Sequence, residues 1–285
     1  MTRQENNVEI FRDTQDKIKS SNALKASVAK SIAETKFYSE SDVILPNNPN
    51  SKAGAVEVTG ERTFAAAFRL RFEDRTKRIA VHNFASATNP GGGVTKGASA
   101  QEECLCRIST LYNVLNTKEN WDRFYNPHRA MQNPIYNGDI LYTPNIKVIK
   151  NDTTMCEMLN DMDWGTFDVI TCAAPNLRVN PNNRYNPNPG AKQATLTDKA
   201  LLEIHKERGR RIMDSALANG ADIIVLGAFG CGAFKNNPEA VARAYRELTM
   251  EYRDKFDKIV FAVYCTDTHP SNNYAVFNRV VGSLK

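Results

Sequence analysis

Arg78-Ile-Ala-Val-His-Asn-Phe84 runs through Ala85 into Ser86-Ala-Thr-Asn-Pro-Gly-Gly-Gly93, and this stretch decides the fold. The first segment is a short, continuous apolar run, which reads as a strand buried on both faces. Asn-Pro followed by three glycines is turn chemistry. From Ala100 to Leu115 the spacing predicts a helix, with Gln101-Glu102-Glu103 in its first turn. The same order recurs downstream: strand Asp222–Leu226, the turn Gly227-Ala-Phe-Gly-Cys-Gly232, then a helix over about Pro238–Phe256. Strand, glycine turn and helix in succession indicate an α/β architecture.

Working outward, residues 7–37 predict helix, in two pieces. Ile10, Phe11 and Ile18 fit one face, and Leu24, Val28 and Ile32 recur at i, i+4. Asn47–Gly54 reads as a loop and Ala55–Thr59 as a short strand. Glu61–Phe72 reads as an amphipathic helix burying Phe64, Phe68 and Phe72. Tyr142 and Ile146–Ile149 suggest strands, and Phe167–Ala173 another. An Asn- and Pro-rich loop, Arg178–Lys192, precedes a helix over Thr197–Ala218; its length marks it as a mobile cover over one side of a ligand site or as a surface insertion. Lys258–Cys265 is a last strand and Tyr274–Val281 a closing helix. No internal repeat or linker breaks the pattern, which predicts a single domain over residues 1–285.

Composition narrows the function classes. The 285 residues are 41% hydrophobic with net charge +5, which suits a polyanionic ligand without requiring one. No apolar run reaches the ~18 residues of a membrane helix, and Met1–Asp13 carries no apolar signal segment. The expectation is a cytoplasmic protein with no membrane partner. The six cysteines (104, 106, 156, 172, 231, 265) form no C-x-x-C pair and read as reduced thiols. His82, His128, His205 and His269 are scattered, so no metal site is predicted. Lys206, Arg208, Arg210 and Arg211 alternate with Glu203 and Glu207, which reads as a solvated helix face and not a nucleic-acid stripe.

Both glycine turns lie at the carboxyl ends of predicted strands, where open α/β sheets bind ligands. Backbone amides at Gly227, Gly230 and Gly232 can cradle a diphosphate, although the same glycines also suit a tight turn without a ligand. No Gly-Lys-Ser/Thr follows, which excludes a P-loop. Adjacent carboxylates in the first turn of a helix suit the helix dipole. They also offer chemistry. The two point in different directions, so one can hold sugar hydroxyls while the other protonates a leaving oxygen and later deprotonates water. A nearby diphosphate would raise its proton affinity.

Gly91-Gly92-Gly93, seven residues, then Gln101-Glu102-Glu103 resembles the signature of poly(ADP-ribose) glycohydrolases. The flanking His82-Asn-Phe-Ala-Ser-Ala-Thr-Asn-Pro90 is similar to the bacterial-type branch. Thr171-Cys-Ala-Ala-Pro-Asn176, Val225-Leu-Gly-Ala-Phe-Gly-Cys-Gly-Ala-Phe234 and Asn237–Ala242 follow in the family's order. The resemblance spans roughly residues 54–265. It implies a macrodomain-like mixed β-sheet between helices, with residues 1–50 as an N-terminal helical extension packed on it. It further implies Glu103 as the catalytic acid/base and Glu102 as a contact to ribose hydroxyls. Gly91, Gly92 and Gly93 would form the catalytic loop, and Gln101 would be a ligand-binding position. Gly227, Ala228, Phe229, Gly230, Cys231 and Gly232 would wrap the diphosphate, with Phe229 pinning the distal ribose and Asn83 and Asn89 nearby. Tyr274 or Phe277 is offered for adenine stacking, although Phe277 has core spacing.

The activity so implied is hydrolysis of the ribose–ribose bond of poly(ADP-ribose), releasing ADP-ribose from chain ends, without cofactor or metal. The implied partners are poly(ADP-ribose), ADP-ribose and ADP-ribosylated proteins, with the chain acting as a monomer. Two alternatives stay open: a macrodomain that reads ADP-ribose without cutting it, and a hydrolase of another ADP-ribosyl linkage on protein or nucleic acid. A nicotinamide-dependent dehydrogenase is disfavoured, because no early G-x-G-x-x-G is present.

Overall fold

The continuous apolar runs form the middle of one seven-stranded sheet. In the computed structural model, residues 1–47, 53–190 and 192–284 are described. Residues 48–52 of the expected Asn47–Gly54 loop, Ala191 of the 178–192 loop and Lys285 lie outside the described residues. The strands are β1 (Lys36–Tyr38), β2 (Ala55–Thr59), β3 (Ile79–Phe84), β4 (Ile140–Val148), β5 (Gly165–Cys172), β6 (Ile223–Leu226) and β7 (Lys258–Ala262). They lie in the order β1-β4-β5-β3-β6-β7-β2. β5, β3, β6, β7 and β2 are parallel, while β4 is antiparallel to both β5 and β1.

Among the described residues, ten α-helices complete the order. They are α1 (Arg3–Ser20), α2 (Asn22–Glu34), α3 (Thr63–Glu73), α4 (Gln101–Arg107), α5 (Leu111–Leu115), α6 (Lys118–Asn120), α7 (Asn126–Met131), α8 (Asp198–Ala218), α9 (Pro238–Tyr252) and α10 (Asn272–Val280). Successive strand residues face opposite sides, and each side is covered. Ile224, Leu226, Ile259 and Phe261 join a core with Ile212, Val241, Tyr245 and Phe277. Val81, Val225 and Val260 join one with Phe64, Leu70, Leu105 and Leu111. Burying each large apolar side chain contributes roughly 1.5–3 kcal/mol, so this two-sided coverage dominates the fold's stability.

Several expected elements come out differently. The 7–37 helix begins at Arg3, where Thr2 and Glu5 form a reciprocal cap, and breaks at Ser21, whose Oγ accepts from Leu24 N at 3.3 Å. It ends at Glu34, and residues 36–38 pair with β4. The 100–115 helix is split at Ile108–Thr110. The reason is tertiary: Thr110 N donates to Lys147 O (2.9 Å) and Ile149 N to Ile108 O (2.9 Å), tying the break to the end of β4. Tyr142 and Ile146–Ile149 belong to one strand, bulged between Thr143 and Ile146 around Asn145 at φ +61°.

Phe72 is 74% exposed, against the expectation that it is buried. Four-residue steps advance about 40° beyond a full turn, so the Phe64/Phe68/Phe72 row winds off the sheet. Ala67 and Leu70 take the buried face instead, and Phe68 is half-buried against Phe167. The basic residues of α8 are also not one solvated face. Lys206 and Arg210 pair with Glu247 and Glu251, but Arg208 is buried and donates to the carbonyls of Ala173, Ile135 and Tyr136.

Candidate active site

β3 stops at Phe84, and side chains from α4 continue its hydrogen bonding. Gln101 Oε1 accepts from Phe84 N (2.8 Å), and its Nε2 donates to His82 O (2.7 Å) and Thr63 Oγ1 (3.1 Å). The start of α4 is thereby fixed to the end of β3. Glu102 is buried; its Oε2 accepts from Ser86 N (2.7 Å) and its Oε1 from Asn83 Nδ2 (3.3 Å). Asn83 is held in turn by Thr171 Oγ1 at 3.1 Å on neighbouring β5.

The Gly91–Gly93 loop folds back over these carboxylates. Gly91 and Gly92 have φ of +65° and +55°, conformations that favour glycine. Asn89 Nδ2 donates to Gly92 O and holds the turn. Gly93 N donates to Glu103 Oε1 at 2.8 Å. A Cβ on Gly92 would overlap that same oxygen, so the glycine makes room for the carboxylate. Glu103 Oε2 is buried and has no hydrogen-bond partner among the described residues. Burial holds the Glu103 carboxyl above its ordinary range, against the opposing pull of the Gly93 amide. Burial, and then the charge of Glu103, push Glu102 well above its range. A carboxyl whose proton affinity is raised by burial and which has one unpartnered oxygen is suited to act as an acid and later as a base.

The second turn lies across a cleft of about 400 Å³ lined by Glu102, Glu103, Gly92, Ala228, Gly230, Gly232 and Ala233. Gly230 has φ +76°, and a Cβ there would sit 2.6 Å from Ala174 Cβ. Gly227 lies outside the lining; a Cβ on it would come within 2.7 Å of Ala262 O, so it serves close packing with β7. The amides of Gly230, Gly232 and Ala233 donate to no other described residue. Unpaired amides in a glycine turn form an anion cradle. Among the described residues, no three His, Cys, Asp or Glu side chains group as a metal site.

The family model for the microbial-type PARG catalytic domain matches residues 6–151, which contain Gly91–Gly93 and Gln101-Glu102-Glu103. The chain belongs to that family. Its structure is similar to the poly(ADP-ribose) glycohydrolase of Thermomonospora curvata bound to the inhibitor ADP-HPD, with TM-score 0.78, 28% identity, and coverage of 96% of this chain and 98% of that one. It is also similar to the Deinococcus radiodurans glycohydrolase in complex with ADP-ribose, with TM-score 0.74, 32% identity, and coverage of 90% and 98%. No curated protein matches the chain.

Within this PARG family member, the residues singled out from sequence divide into two sets. Gln101, Glu102, Glu103, Gly92, Ala228, Phe229, Gly230 and Gly232 line the cleft. Asn83, Asn89, Gly91, Gly93, Gly227 and Cys231 stand behind it and support the lining residues. Cys231 has a thiol pushed up to about 12 by burial, so it contributes through its backbone and not as a nucleophile. The Phe229 ring is fully buried against His82 (4.4 Å) and His205 (5.3 Å), so it forms the floor of the cleft.

Of the two aromatics offered for adenine, Phe277 is buried against Phe261, and Tyr274 packs on the same core. Neither lines the cleft, because helical spacing turns them inward. Tyr264 does; it is 39% exposed, with the Arg62 guanidinium 4.5 Å over its ring. Its place just past β7 was the available signal, since that is where open sheets bind ligands. Tyr185, Asn186 and Arg178 of the Asn/Pro loop also line the cleft, as does Arg3 of α1. The sequence marked the loop as a whole by its length, but no local pattern singled out these residues within it or Arg3.

Proposed function

We propose that this family member hydrolyses the ribose–ribose O-glycosidic bond of poly(ADP-ribose) and releases ADP-ribose from chain ends, with Glu103 as acid and base. The observation that carries the reading is Glu103 itself: at the lining of the cleft, buried, raised in proton affinity, anchored through Oε1, and with Oε2 unpartnered among the described residues. The amides of Gly230, Gly232 and Ala233 take the diphosphate, which places the distal ribose at β3. Glu102, fixed by Ser86 and Asn83, keeps lone pairs for ribose hydroxyls. The adenosine end falls at Arg62 and Tyr264, where an aromatic face is available.

In the reaction, Glu103 gives its proton to the oxygen leaving the anomeric carbon. The C–O bond breaks with its electron pair on that oxygen, and the ribose becomes an oxocarbenium-like cation. The substrate's diphosphate stabilises this cation electrostatically. Glu103, now a carboxylate, takes a proton from the incoming water, whose oxygen bonds to the anomeric carbon. Atoms and charge balance without a metal, and activity retained in EDTA would support that part of the proposal.

The test is release of ADP-ribose from purified poly(ADP-ribose) by wild type and Glu103→Gln, with ADP-ribose binding measured on both. The expected result is a cutting wild type and a variant that binds but does not cut. A wild type that binds ADP-ribose and leaves the polymer intact overturns the proposal in favour of a reader module or another linkage.

A further inference from the structure

Strand order supplies a ruler along the cleft. Neighbouring strands stand ~4.8 Å apart. At their carboxyl ends come, in turn, Tyr264 after β7, Gly230 and Gly232 after β6, the Glu103 loop after β3, and Arg178 after β5. The first three positions accommodate adenosine, diphosphate and distal ribose in the proposed function, on which this inference rests. The β5 position lies one strand beyond the scissile bond, on the side where the leaving group must be.

The Asn/Pro loop occupies that position and is built into the site. Asn186 is buried; its Oδ1 accepts from Ser86 Oγ (2.7 Å) and Thr88 Oγ1 (3.1 Å), and its Nδ2 donates to Tyr136 OH (3.0 Å). Tyr185 packs on Gly93 so closely that a Cβ there would lie 2.5 Å from its ring. Gln4 Nε2 donates to both Tyr185 OH (3.1 Å) and Lys96 O (2.6 Å), which fastens the start of α1 to the loop and the catalytic turn. Two cations line the cleft here, Arg3 and the half-buried Arg178. Neither guanidinium has a partner among the described residues, whereas Arg62 at the adenosine end has Asp152 and Tyr264. A half-buried guanidinium without a partner is costly unless an anion arrives to meet it.

We infer that the 178–190 loop and the start of α1 form a subsite for the leaving part of the substrate, in which Arg178 and Arg3 bind the diphosphate of the adjoining ADP-ribose unit. The chemistry is that of an anionic diphosphate on the alcohol side of the bond being cut. A neutral leaving group on the same ribose makes no use of it.

The experiment compares wild type, Arg178→Ala, Arg178→Lys and the double variant Arg3→Ala/Arg178→Ala on two substrates. One is poly(ADP-ribose); the other is ADP-ribose carrying a neutral p-nitrophenoxy group on the anomeric carbon. ADP-ribose affinity is measured on every variant, which also shows that each one folds. The expected result for the double variant is a KM for polymer raised about tenfold. Its aryl turnover and ADP-ribose affinity should match wild type, and its KM should depend less on salt than that of wild type. Arg178→Lys should retain most of the polymer affinity. Polymer cleavage unchanged in the double variant overturns this inference alone. Equal losses on both substrates also overturn it, because the arginines would then serve ADP-ribose itself. A wild type that leaves the polymer intact overturns the glycohydrolase reading and this inference together.

Discussion

The two glycine turns, 91–93 after β3 and 227–232 after β6, face each other across the cleft and use the same residue for opposite ends. In the first, the amide of Gly93 is occupied by the protein's own carboxylate, and Gly92 is bare so that Glu103 can come close. In the second, the amides of Gly230, Gly232 and Ala233 are without partners among the described residues. One turn is complete without a ligand and holds an acid in place. The other is incomplete until an anion arrives. Glycine content therefore does not define a binding loop; what matters is whether its amides are already occupied.

The sharpest way to break this contrast is at Glu103. Glu103→Gln should keep the Gly93 hydrogen bond and ADP-ribose affinity while lowering kcat about 10³-fold, as expected for loss of a general acid. In wild type, burial raises the carboxyl's proton affinity, so kcat should fall as pH rises through that raised value and the acid loses its proton. Stability carries the same sign: a raised folded value means the folded state binds more protons, so stability is lost as pH rises through it. Thermal melts of Glu103→Gln should show less of that loss; a pH dependence as steep as wild type would contradict it.

Gly92→Ala comes next. A Cβ at φ +55° would push on Glu103 Oε1, so kcat should drop about 10²-fold for a misplaced acid, with ADP-ribose affinity changed far less. Gly230→Ala should show the reverse pattern. Strain at φ +76° and contact with Ala174 disturb the anion cradle, so ADP-ribose should bind about tenfold more weakly by calorimetry while kcat at saturation is largely kept. Should both variants lose kcat and affinity in equal proportion, the division of labour between the turns is wrong. The smallest effect belongs to Gly232→Ala, where a Cβ meets nothing within 4 Å; binding should change less than about twofold.

How much of this was legible differs from residue to residue. The strands at Ile79–Phe84 and Ile223–Leu226 could be read because burial on both faces writes a continuous apolar run into the chain. The two turns and the adjacent acids could be read because glycine, proline and paired carboxylates act through their immediate neighbours, while the choice of Glu103 over Glu102 came from the resemblance alone. Phe72 and Arg208 were misplaced for a shared reason. A helix's local pattern gives a stripe, but the rotation of that stripe against the sheet is chosen by packing, which left Phe72 exposed and drew Arg208 under three carbonyls.

Sequence by itself determined the α/β class and the position of the glycine turn beside Gln101-Glu102-Glu103, since apolar runs, glycines and adjacent acids are written locally in the chain. Tertiary structure alone decided what surrounds those acids. Tyr264, Tyr185, Arg178 and Arg3 come from the segment after β7, the Asn/Pro loop and the first helix, and Gln4 meets Tyr185 across 181 residues. Such contacts are selected by the order of strands in the sheet and by the total burial it permits, a global balance that no local spacing encodes.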